Sequence, residues 1–103
     1  MAFLVDFSMI PLGKGESVSP YVARSLDIID RSGVPYRLHA MGTTLEGEWN
    51  EVIAVVKQCL DAMSTDCDRV ACTIKLDWRR GATGQLDGKI ASVEQKLGRP
   101  LRK

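Results

Sequence analysis

No stretch of this 103-residue chain reaches the roughly 18 consecutive apolar residues of a membrane-crossing helix. The apolar start, MAFLVDFSMIPLG, is interrupted by Asp6 and lacks a basic leader, so it reads as a strand and not as a secretory signal. The expected compartment is the cytoplasm, with no membrane partner. Net charge is also nearly absent. Fourteen Lys and Arg against 13 Asp and Glu leave +1, so no whole-molecule field draws the protein toward nucleic acid or anionic lipid. The basic tail GRPLRK is a weak, solvated patch. Three cysteines, Cys59, Cys67 and Cys72, cannot all pair, and none stands in a C-x-x-C spacing. With a single histidine, His39, a zinc site would need an unusual ligand set, so reduced thiols and no metal are expected. There is no P-loop, no G-x-G-x-x-G after a strand and no H-E-x-x-H. The glycines of GKGES precede a helix start but lack the Walker spacing, which makes them a flexible loop.

What is present is ordinary globular material, 45% hydrophobic and 26% charged, read as one domain over residues 1–103. Residues 2–10 alternate: Phe3, Val5, Phe7 and Met9 share one face of a strand, with Leu4, Asp6 and Ser8 on the other. Pro11, Gly13 and Gly15 end it. Ser17-Val18-Ser19-Pro20 announces a helix, with serine at the N-cap, Pro20 at the first helical position, and Val22, Leu26 and Ile29 on its apolar stripe. Gly33 closes that helix and Pro35 prevents a restart. Two short strands, 36–40 and 43–46, meet at a tight Met41-Gly42 joint. From about Glu48 the period turns helical, with Val52, Val56, Cys59, Leu60 and Met63 aligned. Val70, Cys72, Ile74, Leu76 and Trp78 then form the core face of a last strand. Leu86 to Leu97 make an amphipathic C-terminal helix.

The order β-α-β-β-α-β-α predicts an α+β fold: a ferredoxin-like split βαββαβ with a four-stranded antiparallel sheet, plus one C-terminal helix at about 86–97. Two helices on one face leave the other face, bearing Asp6, Ser8, Thr73, Lys75 and Asp77, without helices of its own. The third helix has no home in a two-layer domain, so its apolar stripe must be buried on something. Self-association, as a homodimer or homotetramer, would satisfy both surfaces. RNA-binding domains share this layout, but they need aromatics on the open middle strands, and Phe3 and Phe7 are assigned to the core.

Candidate chemistry is sparse. A lone strand histidine such as His39 reads as a structural or surface residue. Glu46, in the company of Thr43 and Thr44 before Gly47, can accept charge-assisted hydrogen bonds from a ligand amine or amidine, or be a surface glutamate at a turn. Trp49 and Tyr36 can stack on a flat heterocycle, though Trp49 is equally a helix-start residue capping the core. Lys75 and Asp77 are placed to pair with each other or with Asp6.

Several stretches together carry a resemblance. MIPLG, then SVSPYVARSLDIIDRSGVPYRLHAMGTTLEGEW, DRVACTIKLDWRR and KIASVEQKL resemble, over residues 8–97, the small thiamine-binding-protein family of the YkoF-like superfamily. The matching positions include Ile10, Pro11 and Gly13, Ser17-Val18-Ser19, Tyr36, Met41-Gly42-Thr43, Glu46-Gly47, and Thr73 to Asp77. Departures are Ala40, where proline is frequent, Cys59, where histidine is common, and the less charged loop RRGATG. The resemblance implies a ferredoxin-like homo-oligomer, commonly a tetramer, that binds thiamine or its aminopyrimidine part and catalyses no established reaction. On that basis Glu46 is expected to accept from the aminopyrimidine, with Thr43 and Ser8 orienting it. Tyr36 or Trp49 would stack on it, and Asp6 would face the cationic thiazolium. No cofactor is required, and thiamine enters as ligand. The alternative is a structural or regulatory homo-oligomeric interaction module with no small ligand.

Overall fold

The computed structural model describes residues 2–103. Seven elements follow in the expected order: β1 (Phe3–Pro11), α1 (Ser19–Ser32), β2 (Tyr36–His39), β3 (Gly42–Gly47), α2 (Trp49–Met63), β4 (Val70–Trp78) and α3 (Gln85–Leu97). The strands form one antiparallel sheet in the order β2-β3-β1-β4, the ferredoxin-like arrangement. Strand alternation places the core as expected. Val5, Phe7 and Met9 of β1 and Leu45 of β3 meet Ile29 of α1 and Val52, Val55, Cys59 and Met63 of α2 in one buried cluster.

Local signals set most boundaries. Gly33 ends α1 in the left-handed region at φ 78°, a conformation that suits glycine at a helix C-terminus. The α1 start differs from expectation: Val18, not a serine, occupies the cap, and its apolar side chain has no group to bond the helix N–H groups, with Pro20 one residue inside the helix start. Glu48 and Glu51 do more than favour the α2 dipole. They form a reciprocal capping box, with the Glu48 N–H donating to Glu51 Oε1 at 3.2 Å. Arg24 on α1 clamps the far end of α2, donating to both Asp66 oxygens at 2.7 and 3.0 Å and to the Ala62 carbonyl. The guanidinium holds the Asp66 carboxyl down at about 2.

Two surfaces depart from the sequence reading. Cys72, Ile74, Leu76 and Trp78 share a face with the core residues of β1, as their register with Met9, Phe7, Val5 and Phe3 requires. They are not buried, however: Ile74, Leu76 and Trp78 remain 44, 40 and 40% exposed. The layer made by α1 and α2 sits over β1 and β3, so the edge strand β4 lies outside it. Conversely, the opposite face of the sheet is not bare. The start of α3 rests against β3, Lys89 pairs with Asp77, and Asp87 pairs with Arg37 of β2. Lys75 and Asp77 therefore do not pair with each other. The far end of α3 still shows Val93 and Leu97 to solvent. Among the described residues, no helix is long and apolar enough to cross a membrane.

Candidate functional site

β1 is paired along the whole of one edge but only part of the other. It pairs with β4 along its whole length but with β3 only from Phe3 to Phe7, because β3 begins at Gly42. Beyond Phe7 the edge of β1 faces no strand. α1 passes over this gap, the β2–β3 hairpin closes its end, and a cavity of about 340 Å³ results. Phe7, Met9, Val22 and Leu26 supply apolar wall, Thr43 a hydroxyl group, and Leu38 and Met41 an exposed rim, while Ser8 borders the cavity from β1 on the face that carries Asp6. Gly42 permits the closure. A Cβ there would fall 2.9 Å from the Phe7 carbonyl oxygen, too close for any other residue without backbone movement.

His39, read from sequence as incidental, lines this cavity. Its Nδ1 accepts the Met41 N–H at 3.4 Å, which leaves Nε2 to carry the proton and donate to Asp6 Oδ1 at 2.9 Å. The hairpin tip, the imidazole and the β1 carboxylate are thereby joined, and Asp6 pairs with His39 instead of with Lys75.

A further polar group was not anticipated. Ser25 of α1 lines the same cavity, is 3% exposed, and its hydroxyl has no hydrogen-bond partner. Its sequence signal is positional. Ser25 stands three residues after Val22 and four before Ile29, on the stripe where an apolar side chain belongs.

The remaining expected site residues lie elsewhere. Thr43 and Glu46, three apart on β3, project from opposite faces of the sheet, since strand side chains alternate. Thr43 is in register with Phe7, on the helix side, and Glu46 with Leu4, on the side of α3. There Glu46, 8% exposed, spends both carboxylate oxygens on the start of α3. It accepts the Gln85 N–H at 2.8 Å and the Leu86 N–H at 3.1 Å. Trp49 is half-exposed and meets Phe3 edge-on, with ring centroids 5.5 Å apart. The Tyr36 hydroxyl donates to Asp30 at 2.8 Å, a bond that raises the phenol pKa. Ser8 and Thr43 thus both border one cavity, from opposite faces of the sheet, and Asp6 is joined to it only through His39. Glu46, Tyr36 and Trp49 lie outside it.

Burial pushes the Cys59 thiol pKa up, so this cysteine, fully enclosed in the core, is no thiolate nucleophile. Cys67 and Cys72 are likewise free thiols raised by burial. Among the described residues, no cluster of three potential metal ligands occurs.

A model of the family described as thiamine-binding protein matches residues 5–94. The chain belongs to the thiamine-binding protein family. Relatives within it are similar end to end. A UPF0045 protein of Mycobacterium tuberculosis is 43% identical over 101 residues, covering 97% of this chain and 99% of its own. The UPF0045 protein YqgV of Bacillus subtilis is 34% identical over 100 residues, covering 91 and 96%. Among solved structures, a hypothetical protein from Methanocaldococcus jannaschii superimposes with a TM-score of 0.84 at 31% identity, covering 91% of this chain and 97% of that one. A candidate thiamine biosynthesis/salvage protein from Thermotoga maritima shares the fold with a TM-score of 0.80 at 19% identity, covering 90 and 99%. The family description is of binding proteins, and the cavity lies wholly within the matched residues.

Proposed function

We propose that the protein is a non-catalytic cytoplasmic binder of thiamine or a related aminopyrimidine, working as a homo-oligomer, with the ligand seated in the cavity beside the free edge of β1. The observation that carries this reading is the cavity itself. Its volume of about 340 Å³ is within the range typical of small-molecule sites, and its mostly apolar wall is punctuated by a few convergent polar groups. The neutral aminopyrimidine suits the interior between α1 and the Thr43 hydroxyl. The cationic thiazolium suits the side where His39 is joined to the Asp6 carboxylate, because an unpaired charge is costly in an apolar interior. Glu46, Tyr36 and Trp49 serve the fold in this reading. Membership of a thiamine-binding family supports the ligand class.

The exposed apolar face of β4 favours a second reading, an interaction module that assembles with itself and takes no small ligand. Isothermal titration with thiamine and with hydroxymethylpyrimidine separates the two. Saturable binding of about one ligand per chain is expected, and Thr43→Val, which keeps shape and loses the hydroxyl, weakens it about tenfold. A stable oligomer that gives no saturable heat at millimolar ligand favours the interaction module.

A further inference from the structure

Resting on that ligand reading, we infer that Ser25 is the positioning residue at the base of the cavity, its hydroxyl, which no protein group satisfies, serving to hydrogen-bond the ring of the bound ligand. Among the described residues, the Ser25 hydroxyl is the one buried side-chain polar atom without a partner. That is an unusual state. Buried hydroxyl groups are nearly always bonded, and a serine inside a helix ordinarily bonds back to the carbonyl one turn earlier. Here it does not, although nothing about α1 prevents helical geometry on either side.

The helix is fixed at this point. The Cys59 thiol donates to the Ser25 carbonyl at 3.7 Å, and the neighbouring Arg24 is tied to Asp66. Only the side chain is left to move. Rotation about its one χ angle turns the hydroxyl toward the cavity that the residue lines. Thr43, 3% exposed, lines the same cavity from β3, so a ring lying between α1 and the hairpin meets a hydroxyl on each side. A heterocycle with ring nitrogens and an amine on its edge can use both. A hydrocarbon of the same shape leaves Ser25 unpaired.

A merely structural serine and a ligand-reading one differ in the sign of two effects. Removing an orphaned buried hydroxyl relieves the free protein while depriving the ligand. Ser25→Ala is therefore expected to leave the melting temperature of the free protein unchanged or higher. Its affinity for thiamine and for hydroxymethylpyrimidine, measured by isothermal titration, is expected to fall about tenfold for each. Ser25→Cys keeps the volume with a much weaker hydrogen-bonding group and is expected to lose affinity too. Wild-type affinity in Ser25→Ala overturns the assignment, as does loss in Ser25→Ala with full affinity in Ser25→Cys, which would mark packing and not a bond. Absence of saturable binding by the wild type removes the ligand reading, and this assignment with it.

Discussion

Glu46→Ala is expected to release α3 from the sheet. The helix contributes no fully buried residue to the core, and its 13 residues are too few to hold helical form alone in water. What holds it is its start, where two backbone N–H groups donate to a buried carboxylate at 2.8 and 3.1 Å, assisted by the positive end of the helix dipole. The outer pairs Arg37–Asp87 and Lys89–Asp77 are solvent-exposed and add little. Removing the carboxylate leaves both donors unpaired, at a cost of about 2–3 kcal/mol against α3 docking. Amide exchange should show protection lost across residues 86–97 while β1, β3 and α2 keep theirs. Glu46→Gln, which retains an uncharged acceptor, should fall between. Full protection of α3 in Glu46→Ala would show that its apolar side anchors it instead.

The second large effect is expected in assembly. Ile74, Leu76 and Trp78 lie side by side on an edge strand, at 40% exposure or more, and Leu60 of α2 is also exposed. An edge strand with apolar side chains and unpaired backbone groups is a template for association. The shape of the chain is elongated. Its radius of gyration of 15.1 Å exceeds the about 13 Å of a compact chain of this length, with extents of 47 × 29 × 21 Å. On the proposal that the protein is a homo-oligomer, light scattering should give a whole multiple of the 11.4 kDa chain. The double variant Ile74→Asp, Leu76→Asp should drop to 11.4 kDa with its helix content intact, since neither side chain belongs to the buried cluster. A wild-type mass of one chain, or an oligomer indifferent to two buried carboxylates, would refute self-association through β4.

The element order and most of the core were legible in the sequence because they rest on periodicity. Period two placed Val5, Phe7 and Met9 inward, and the 3.6-residue stripe did the same for Ile29, Val52, Cys59 and Met63. Periodicity gives the face of a residue but not what covers that face. Ile74, Leu76 and Trp78 follow the same rule as Val5, yet lie beyond the reach of the helix layer, a matter of sheet order alone. The site was harder still. Thr43 and Glu46 look like one constellation in a line of text, but an odd spacing on a strand sends them to opposite sides, and the α3 start that occupies Glu46 is some 40 residues away in sequence. His39 reads as isolated until the hairpin brings it to Asp6, 33 residues earlier. Ser25 carried a usable signal, a hydroxyl on an apolar stripe.

The central claim, that the ligand lies between α1, the free edge of β1 and the hairpin tip, is tested most directly by titrating isotopically labelled protein with thiamine and following the backbone amide resonances. The account requires the saturable shifts to gather at Ser8, Met9, Ser25 and His39 to Thr43. Shifts confined to Tyr36, Glu46, Trp49 and the start of α3, or no shifts at millimolar thiamine, would contradict it.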